Sequence, residues 1–329
     1  MSKNRYALLT VDTEALPKRA SDDHVRRLMW GEHPAGTAGV REMCAIGDEF
    51  NAKHVFFVDI CGAYARREEV LAVIGWLDKA GHDVQLHTHP EYLPASFWED
   101  TSFAVKPVLM NKYTDIEKEK FLLSHFGAAI SAVTNKKILA FRAGSFRWNA
   151  LTIPVLASLG IPLSFNNTMA AVYKGLCPSG VPSNNPFRWS NGVIEVPSTE
   201  KNILPWICKS IWVRFQYPLS AYVKYRPWWA AFLPYSVSRL DNFLVCLVHS
   251  WSLLYWDENG YGVYKDDKRI EGYRLLVKKM SKDFDIITSA ELLDLVQTGK
   301  IVLSHTEGMD FDGKNIAVSG ATAKTCRNQ

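Results

Sequence analysis

Short runs of β-branched and apolar residues alternate with stretches of helical periodicity along most of this chain, and that alternation leaves few architectures open. Strands separated by helices pair in parallel, because only a crossover of a dozen or more residues returns the chain to the same sheet in the same direction. The predicted strands cover residues 6–11, 54–59, 83–87, 138–142, 162–165, 193–196, 243–248 and 284–287. The predicted helices cover 40–51, 68–80, 113–133, 149–159, 270–280 and 289–297. Repeated units of this kind can close on themselves, so the expected fold class is α/β, a parallel (β/α) barrel. A chain of 329 residues is long for one domain but ordinary for such a barrel. Residues 1–299 are therefore expected to form one unit, with 300–329 as a C-terminal extension.

Barrels of this type carry their reactive groups at the C-terminal ends of the strands. Asp12, His87, Arg142 and His249 all fall at or just past such ends. In Leu86-His87-Thr88-His89-Pro90-Glu91 two imidazoles stand two residues apart, and on an extended chain side chains two apart project to one side. Thr10-Val11-Asp12-Thr13-Glu14 repeats the arrangement with carboxylates directly after an apolar run. Imidazole with carboxylate suits a divalent transition ion, Zn2+ first and Co2+, Mn2+ or Ni2+ as alternatives, and three protein ligands leave a position open for chemistry. The candidate ligands are Glu14, His87, His89 and Asp12. Taken one by one these residues have plainer explanations: Asp12 and Glu14 could cap a loop or pair with Lys18 and Arg19, Arg142 could make a surface ion pair, and His249 could be a core histidine. Their shared placement favours a metal site, with His249 as an acid and Arg142 holding a carboxylate.

Composition narrows the function classes. A net charge of +4 without a basic run gives no reason to expect nucleic acid as a partner. The six cysteines are scattered, with no Cys-x-x-Cys pair, which points to a reducing cytoplasm. The first residues show neither a secretory signal nor an apolar run long enough to cross a membrane.

Four stretches together resemble the polysaccharide deacetylase family, the NodB-homology or carbohydrate esterase family 4 group, and especially its lipopolysaccharide-biosynthesis branch (WalW-like and WbmS-like proteins). They are Thr10-Val11-Asp12-Thr13-Glu14, Leu86-His87-Thr88-His89-Pro90-Glu91, Phe141-Arg142-Ala143-Gly144 and His249-Ser250-Trp251, and the resemblance spans residues 5 to 298. It implies a distorted parallel (β/α) barrel of the NodB type and metal-dependent removal of an acetyl or formyl group from an N-acylated amino sugar. In that family's scheme Asp12 matches the general base, Arg142 the arginine that holds it, His249 the histidine that protonates the leaving amine, and His87 and His89 the metal-binding pair. Two departures stand out. Thr13 occupies the place of the family's second aspartate, with Glu14 following, and the histidines are two apart rather than four.

Residues 201–240 combine ten aromatic residues, among them Trp206, Trp212, Trp228 and Trp229, with Lys209, Arg214, Lys224 and Arg226 and no acid. Such a run suits a sugar-stacking lid over the barrel mouth or a peripheral contact with the inner membrane surface, and a buried aromatic subdomain is the plainer alternative. Its prolines exclude one long helix. The expected partner is an N-acylated amino sugar carried by a nucleotide, a lipid or a polymer. The competing classes are a non-catalytic glycan-binding relative and another metal-dependent amidohydrolase. In the amidohydrolase barrels the His-x-His pair follows the first strand, whereas here it follows the third.

Overall fold

The computed structural model describes residues 5–99, 101–103, 108–178, 180–202, 212–218, 242–304 and 306–308. Its main sheet is built from β1 (Tyr6–Thr13), β2 (His54–Asp59), β3 (Asp83–Thr88), β4 (Ala140–Ala143), β5 (Leu163–Ser164), β6 (Phe187–Trp189), β7 (Ile194–Glu195), β8 (Phe243–His249), β9 (Asp285–Ile286) and β10 (Thr306–Glu307). The order across the sheet is β8-β1-β2-β3-β4-β5-β7-β6-β10, with β9 also pairing β1. Every pairing is parallel except that of β6 with β7.

The sheet curls and is covered on both faces, and the strands show the covering. In β2 and β8 every residue is buried, as is typical of parallel strands flanked by helices. One face packs Ala7, Leu9, Val11, Phe56 and Leu86 beneath α1 (Val40–Glu49), α2 (Arg67–Lys79), α3 (Ile116–Thr134) and α5 (Lys268–Asp283). The other face, lining the inside of the curl, holds Leu8, Val55, Phe57, Ala140, Leu163 and Val245. Period-two alternation continues that inner face toward the C-terminal ends of the strands, where it becomes polar: Leu8, Thr10, Asp12 on β1; Ala140, Arg142 on β4; Val245, Leu247, His249 on β8. The curl is thus sealed by hydrocarbon at its base and presents ionisable groups at its mouth.

Closure comes from an irregular segment rather than a strand. Phe215 N donates to Thr199 O at 2.8 Å, Leu247 N to Phe215 O at 3.0 Å, and Tyr217 N to Leu247 O at 2.9 Å. Residues 215–217 therefore bridge the chain after β7 to β8 and complete the wall. This part of the aromatic run is wall rather than lid. Trp206, Lys209, Lys224, Arg226, Trp228 and Trp229 lie outside the described residues.

Local differences from the expected elements have local causes. The helix expected from residue 113 begins at Ile116, because the Asp115 carboxylate accepts from the N–H groups of Glu117 (2.9 Å) and Lys118 (3.2 Å) and caps it there. The antiparallel strand β6 has three residues, too few for a periodic pattern to register. Beyond α6 (Ser289–Gln297) the chain returns: Ile301 is buried, Ser304 N donates to Pro186 O at 2.9 Å, and β10 pairs with β6. Among the described residues no helix is long and apolar enough to cross a membrane.

Candidate functional site

Three donor groups meet at the mouth. The ligand atoms of Glu14, His87 and His89 all lie within 4.8 Å of one another, and all three residues are buried. His87 ends the inner face of β3, and its Nδ1–H donates to the carbonyl of Arg142 at 2.8 Å. A carbonyl only accepts, so this bond fixes the proton on Nδ1 and leaves the Nε2 lone pair facing Glu14 Oε2, 3.8 Å away. That buried Nε2 has no hydrogen-bond partner. His89 stands one residue past β3. Its backbone N–H donates to Asp59 Oδ1 at 3.1 Å, its Nδ1 meets Glu91 Oε1 at 2.9 Å, and its Nε2 lies 2.8 Å from Glu14 Oε2. The other oxygen of Glu14 accepts from Trp251 Nε1 at 3.2 Å, which turns Oε2 toward the histidines.

This donor set fits a divalent ion. Two imidazoles and a carboxylate match zinc's preferred ligands, and each group is fixed from behind by a bond to its far atom, as metal ligands are. The partnerless Nε2 of His87 is otherwise an unexplained buried polar atom. Gly144 makes the packing feasible: a Cβ there would stand 2.5 Å from His89 Nδ1 and 2.6 Å from Thr88 O, so only glycine lets the β4 turn approach the ring this closely.

Beside this triad, Arg142 is fully buried on β4 and spans the inside of the curl. Its Nη1 donates to Asp12 Oδ1 at 2.6 Å and its Nη2 to Thr10 Oγ1 at 2.9 Å, while the guanidinium lies 4.3 Å above the Phe57 ring. Asp12 pairs in register with His249 across β1 and β8. The His249 ring stacks on Trp251 with centroids 4.1 Å apart, and its backbone N–H donates to Ser252 Oγ at 2.8 Å. All six candidate residues therefore gather at one end of the curl, Asp12 tied to Arg142 and standing apart from the three converging donors.

The electrostatics divide the roles. Burial pushes the Asp12 carboxyl up, but the Arg142 guanidinium overrides it and holds Asp12 below the usual carboxylate range. Burial likewise opposes ionisation of Glu14, yet the His89 ring, 2.8 Å from its Oε2, keeps it well below its ordinary value. Burial alone would neutralise His89, but the carboxylates of Glu14 and Glu91 hold it well above the usual imidazole value. His249 goes the other way: burial dominates and lowers it to about 4, so it rests neutral.

A cavity of about 230 Å³ opens over these groups, with Asp12, Glu14, His89 and His249 in its lining. Lys18, Arg19, Tyr92, Phe146, Lys174 and Arg214 form much of the remainder. Ser145 and Phe146, directly after β4, both adopt positive φ (53° and 55°), a conformation retained in non-glycine residues mainly where surrounding structure enforces it.

Comparison with protein-family models found no match, and comparison with curated protein sequences found none either. Among solved structures, a protein described as a polysaccharide deacetylase from Mycobacterium smegmatis is similar over 92% of this chain and 93% of its own, with TM-score 0.56 and 16% identity. The fold is of the polysaccharide deacetylase type. A 4-alpha-glucanotransferase from Thermococcus litoralis is similar over 93% of this chain but only 42% of its own, with TM-score 0.55 and 12% identity. Two such different names on one curled barrel show that the fold leaves the chemistry to the side chains at its mouth.

The groups that support these side chains were only partly legible in the sequence. Asp59 accepts from the N–H groups of Cys61 (3.0 Å), Gly62 (2.9 Å) and His89, and so clamps the turn after β2 to the histidine loop. Its signal was its place at the end of an apolar strand, the same cue that marked Asp12. Glu91, Trp251 and Gly144 were noticed as members of motifs, but their tasks depend on which distant ring each one meets.

Proposed function

We propose that this chain is a metal-dependent hydrolase that removes an N-acyl group, acetyl or formyl, from an amino sugar. The observation that carries the reading is the convergence of Glu14, His87 and His89 at the barrel mouth beside an ionised Asp12 and a neutral His249. Glu14, His87 and His89 would hold the ion, which supplies a Lewis acid for the acyl carbonyl and for the attacking water.

The chain's own residues handle the protons. Asp12, kept ionised by Arg142, accepts a proton from the attacking water, and Arg142 prevents the carboxylate from turning away. His249 faces it from the neighbouring strand. The proton that Asp12 took from the water passes to this otherwise neutral imidazole and from it to the departing nitrogen, which returns Asp12 to its ionised form and His249 to its neutral one. Without that proton an amine is a poor leaving group. Glu14 supplies the carboxylate that Thr13, buried and bonded to Val11 O at 3.3 Å, does not. A ligand set completed in this way favours an enzyme over a glycan-binding relative.

The same reading takes the reaction to belong to lipopolysaccharide, O-antigen or other surface-polysaccharide assembly, on the strength of the motif resemblance, and to the cytoplasm, on the strength of the scattered cysteines, with residues 1–299 as the deacetylase unit and 300–329 as an extension. Peripheral contact with the inner membrane surface through residues 201–240 belongs to the same reading, and absence of flotation with anionic vesicles would remove it. The deciding experiment incubates purified, zinc-loaded protein with a panel of N-acetyl and N-formyl amino-sugar donors and weighs the sugar products. A product lighter by one acyl group exchanged for a hydrogen supports the reading, and intact donors with stoichiometric zinc bound refute it.

A further inference from the structure

One wall of the cavity is built around an ion pair that the proposed chemistry does not use. Glu200–Asn202 and Trp212–Arg214 form a two-stranded antiparallel ribbon in which Glu200 stands opposite Arg214. Arg214 Nε donates to Glu200 Oε1 at 3.1 Å and its Nη2 to Thr168 Oγ1 at 2.7 Å, while the guanidinium lies 4.2 Å over the Phe146 ring. Glu200 is held in turn. Its Oε2 accepts from Ala170 N at 3.1 Å, its Oε1 from the Thr168 hydroxyl, and its backbone N–H donates to Asn184 Oδ1 at 2.9 Å. The backbone beyond Arg214 is fixed by the bonds of Phe215 to Thr199 and Leu247. Phe146, beneath the guanidinium, is one of the two non-glycine residues kept at positive φ after β4. Ion pair, hydroxyl and ring thus hold this side chain in one orientation.

Arg214 lines the same cavity as Asp12, Glu14, His89 and His249, and its side chain keeps 15% exposure against 3% for that of Glu200. Nε and Nη2 are taken, and among the described residues Nη1 has no partner. Apolar side chains of similar size would close such a wall at least as stably as a nearly buried ion pair, so packing alone gives no reason for the charges. What the pair adds is a planar donor edge, fixed in advance and open to the cavity. Because Glu200 already answers the charge, that edge suits a neutral oxygen rather than a second anion. We propose that Arg214 is a specificity-determining residue, whose Nη1 donates to one hydroxyl of the amino sugar while the acyl group faces Asp12 and the metal-site triad. The inference deepens the deacylase reading and takes from it that the ligand is an amino sugar. A site built to bond a hydroxyl rejects a sugar that lacks it, because the desolvated donor is then left unpaired. Arg214 therefore selects among sugars, whereas Asp12 and His249 act on the amide that all of them share.

The test is binding, measured apart from turnover. Zinc-loaded protein is titrated calorimetrically with N-acetylglucosamine, N-acetylgalactosamine and N-acetylmannosamine, and the tightest binder is then compared with its 3-, 4- and 6-deoxy analogues. One analogue is expected to bind about tenfold weaker than its parent, or worse, as loss of a bond to a charged donor implies. R214K keeps a cation for Glu200 and loses the planar fork, and E200Q/R214M removes the donor without leaving Glu200 unpaired. Both variants are expected to bind the parent about tenfold weaker than the wild type does, and to bind the parent and the sensitive analogue alike. An arginine that merely shaped the wall would lower affinity for every analogue by one factor and leave the hydroxyl preference intact, and that result overturns the proposal. So does wild-type affinity in either variant, a wild-type protein indifferent to all three deoxy positions, or failure of all three sugars to bind. Acetate release from the same sugars separates the two readings. Release without a hydroxyl preference traced to Arg214 sinks this inference and leaves the deacylase reading standing. A preference that the variants abolish, without release from any sugar, does the reverse.

Discussion

Arg142→Met tests the arrangement where the fold and the proposed chemistry share one interaction. Arg142 is fully buried and Asp12 nearly so, and their contact is 2.6 Å. Removing the guanidinium leaves a carboxylate inside the curl without a counter-charge, a loss of about 3–5 kcal/mol when one partner of a buried pair is deleted. Neither side chain is exposed enough for solvent to screen the pair. Asp12 escapes part of this cost by taking up a proton, since burial, which Arg142 now overrides, would then prevail. Two readouts follow. In guanidinium denaturation at neutral pH, D12N and R142M each destabilise, and the D12N/R142M double variant is more stable than the sum of the two losses by about 2 kcal/mol or more. In the pH dependence of deacylation, the acid limb of R142M moves to higher pH, because the base ionises only there. Additivity of the two substitutions within about 0.5 kcal/mol would show that the pair is not coupled. An unmoved acid limb would show that Asp12 is not the base.

Further expectations concern the metal, the loop behind it and the base of the barrel. Zinc content measured by emission spectroscopy should fall from about one per chain to near zero in H87A, H89A and E14A and stay near one in D12N; loss of zinc in D12N would make Asp12 a ligand. G144A places a Cβ where His89 Nδ1 now lies 2.5 Å away, and should weaken zinc binding about 10–100-fold in a competition titration, whereas unchanged affinity would mean the ring moves freely. Replacing Trp251 by Phe keeps a ring against His249 but removes the N–H that turns Glu14, and should cost about tenfold in zinc affinity, whereas unchanged affinity would mean that Glu14 orients itself without that bond. At the opposite end of the strands, burial lowers His54 to about 3 and His82 to about 4, against an ordinary 6.5. The unfolded chain therefore binds more protons below pH 6.5, and stability should decline as pH falls from there toward 4, by an order of a few kcal/mol; a denaturation midpoint equal at pH 7 and pH 5 would contradict this.

The sequence made the polar ends of the strands legible because they close runs that are otherwise largely apolar. Asp12, His87, Arg142 and His249 each close such a run, and in a parallel barrel all those ends meet. The partnerships behind them were not legible. Trp251 reaches Glu14 across 237 residues of sequence, and nothing local to either residue announces the contact. Gly144 reads in the sequence as a place where backbone can approach a ligand, and the group that approaches it is the His89 ring. Residues 215–217 carry too short and irregular a pattern to read as wall, because their place depends on where Thr199 and Leu247 already stand.

The pairing of β1 with β8 has a consequence for how such a protein diversifies. Asp12 and His249 are opposite one another on hydrogen-bonded neighbours, so the backbones that carry proton acceptor and proton donor are held one interstrand spacing apart, ~4.8 Å, a constant of β geometry. No loop sets it, and no loop can spoil it. The segments that frame the opening are free to lengthen, change charge or admit new cargo while that interval stays the same.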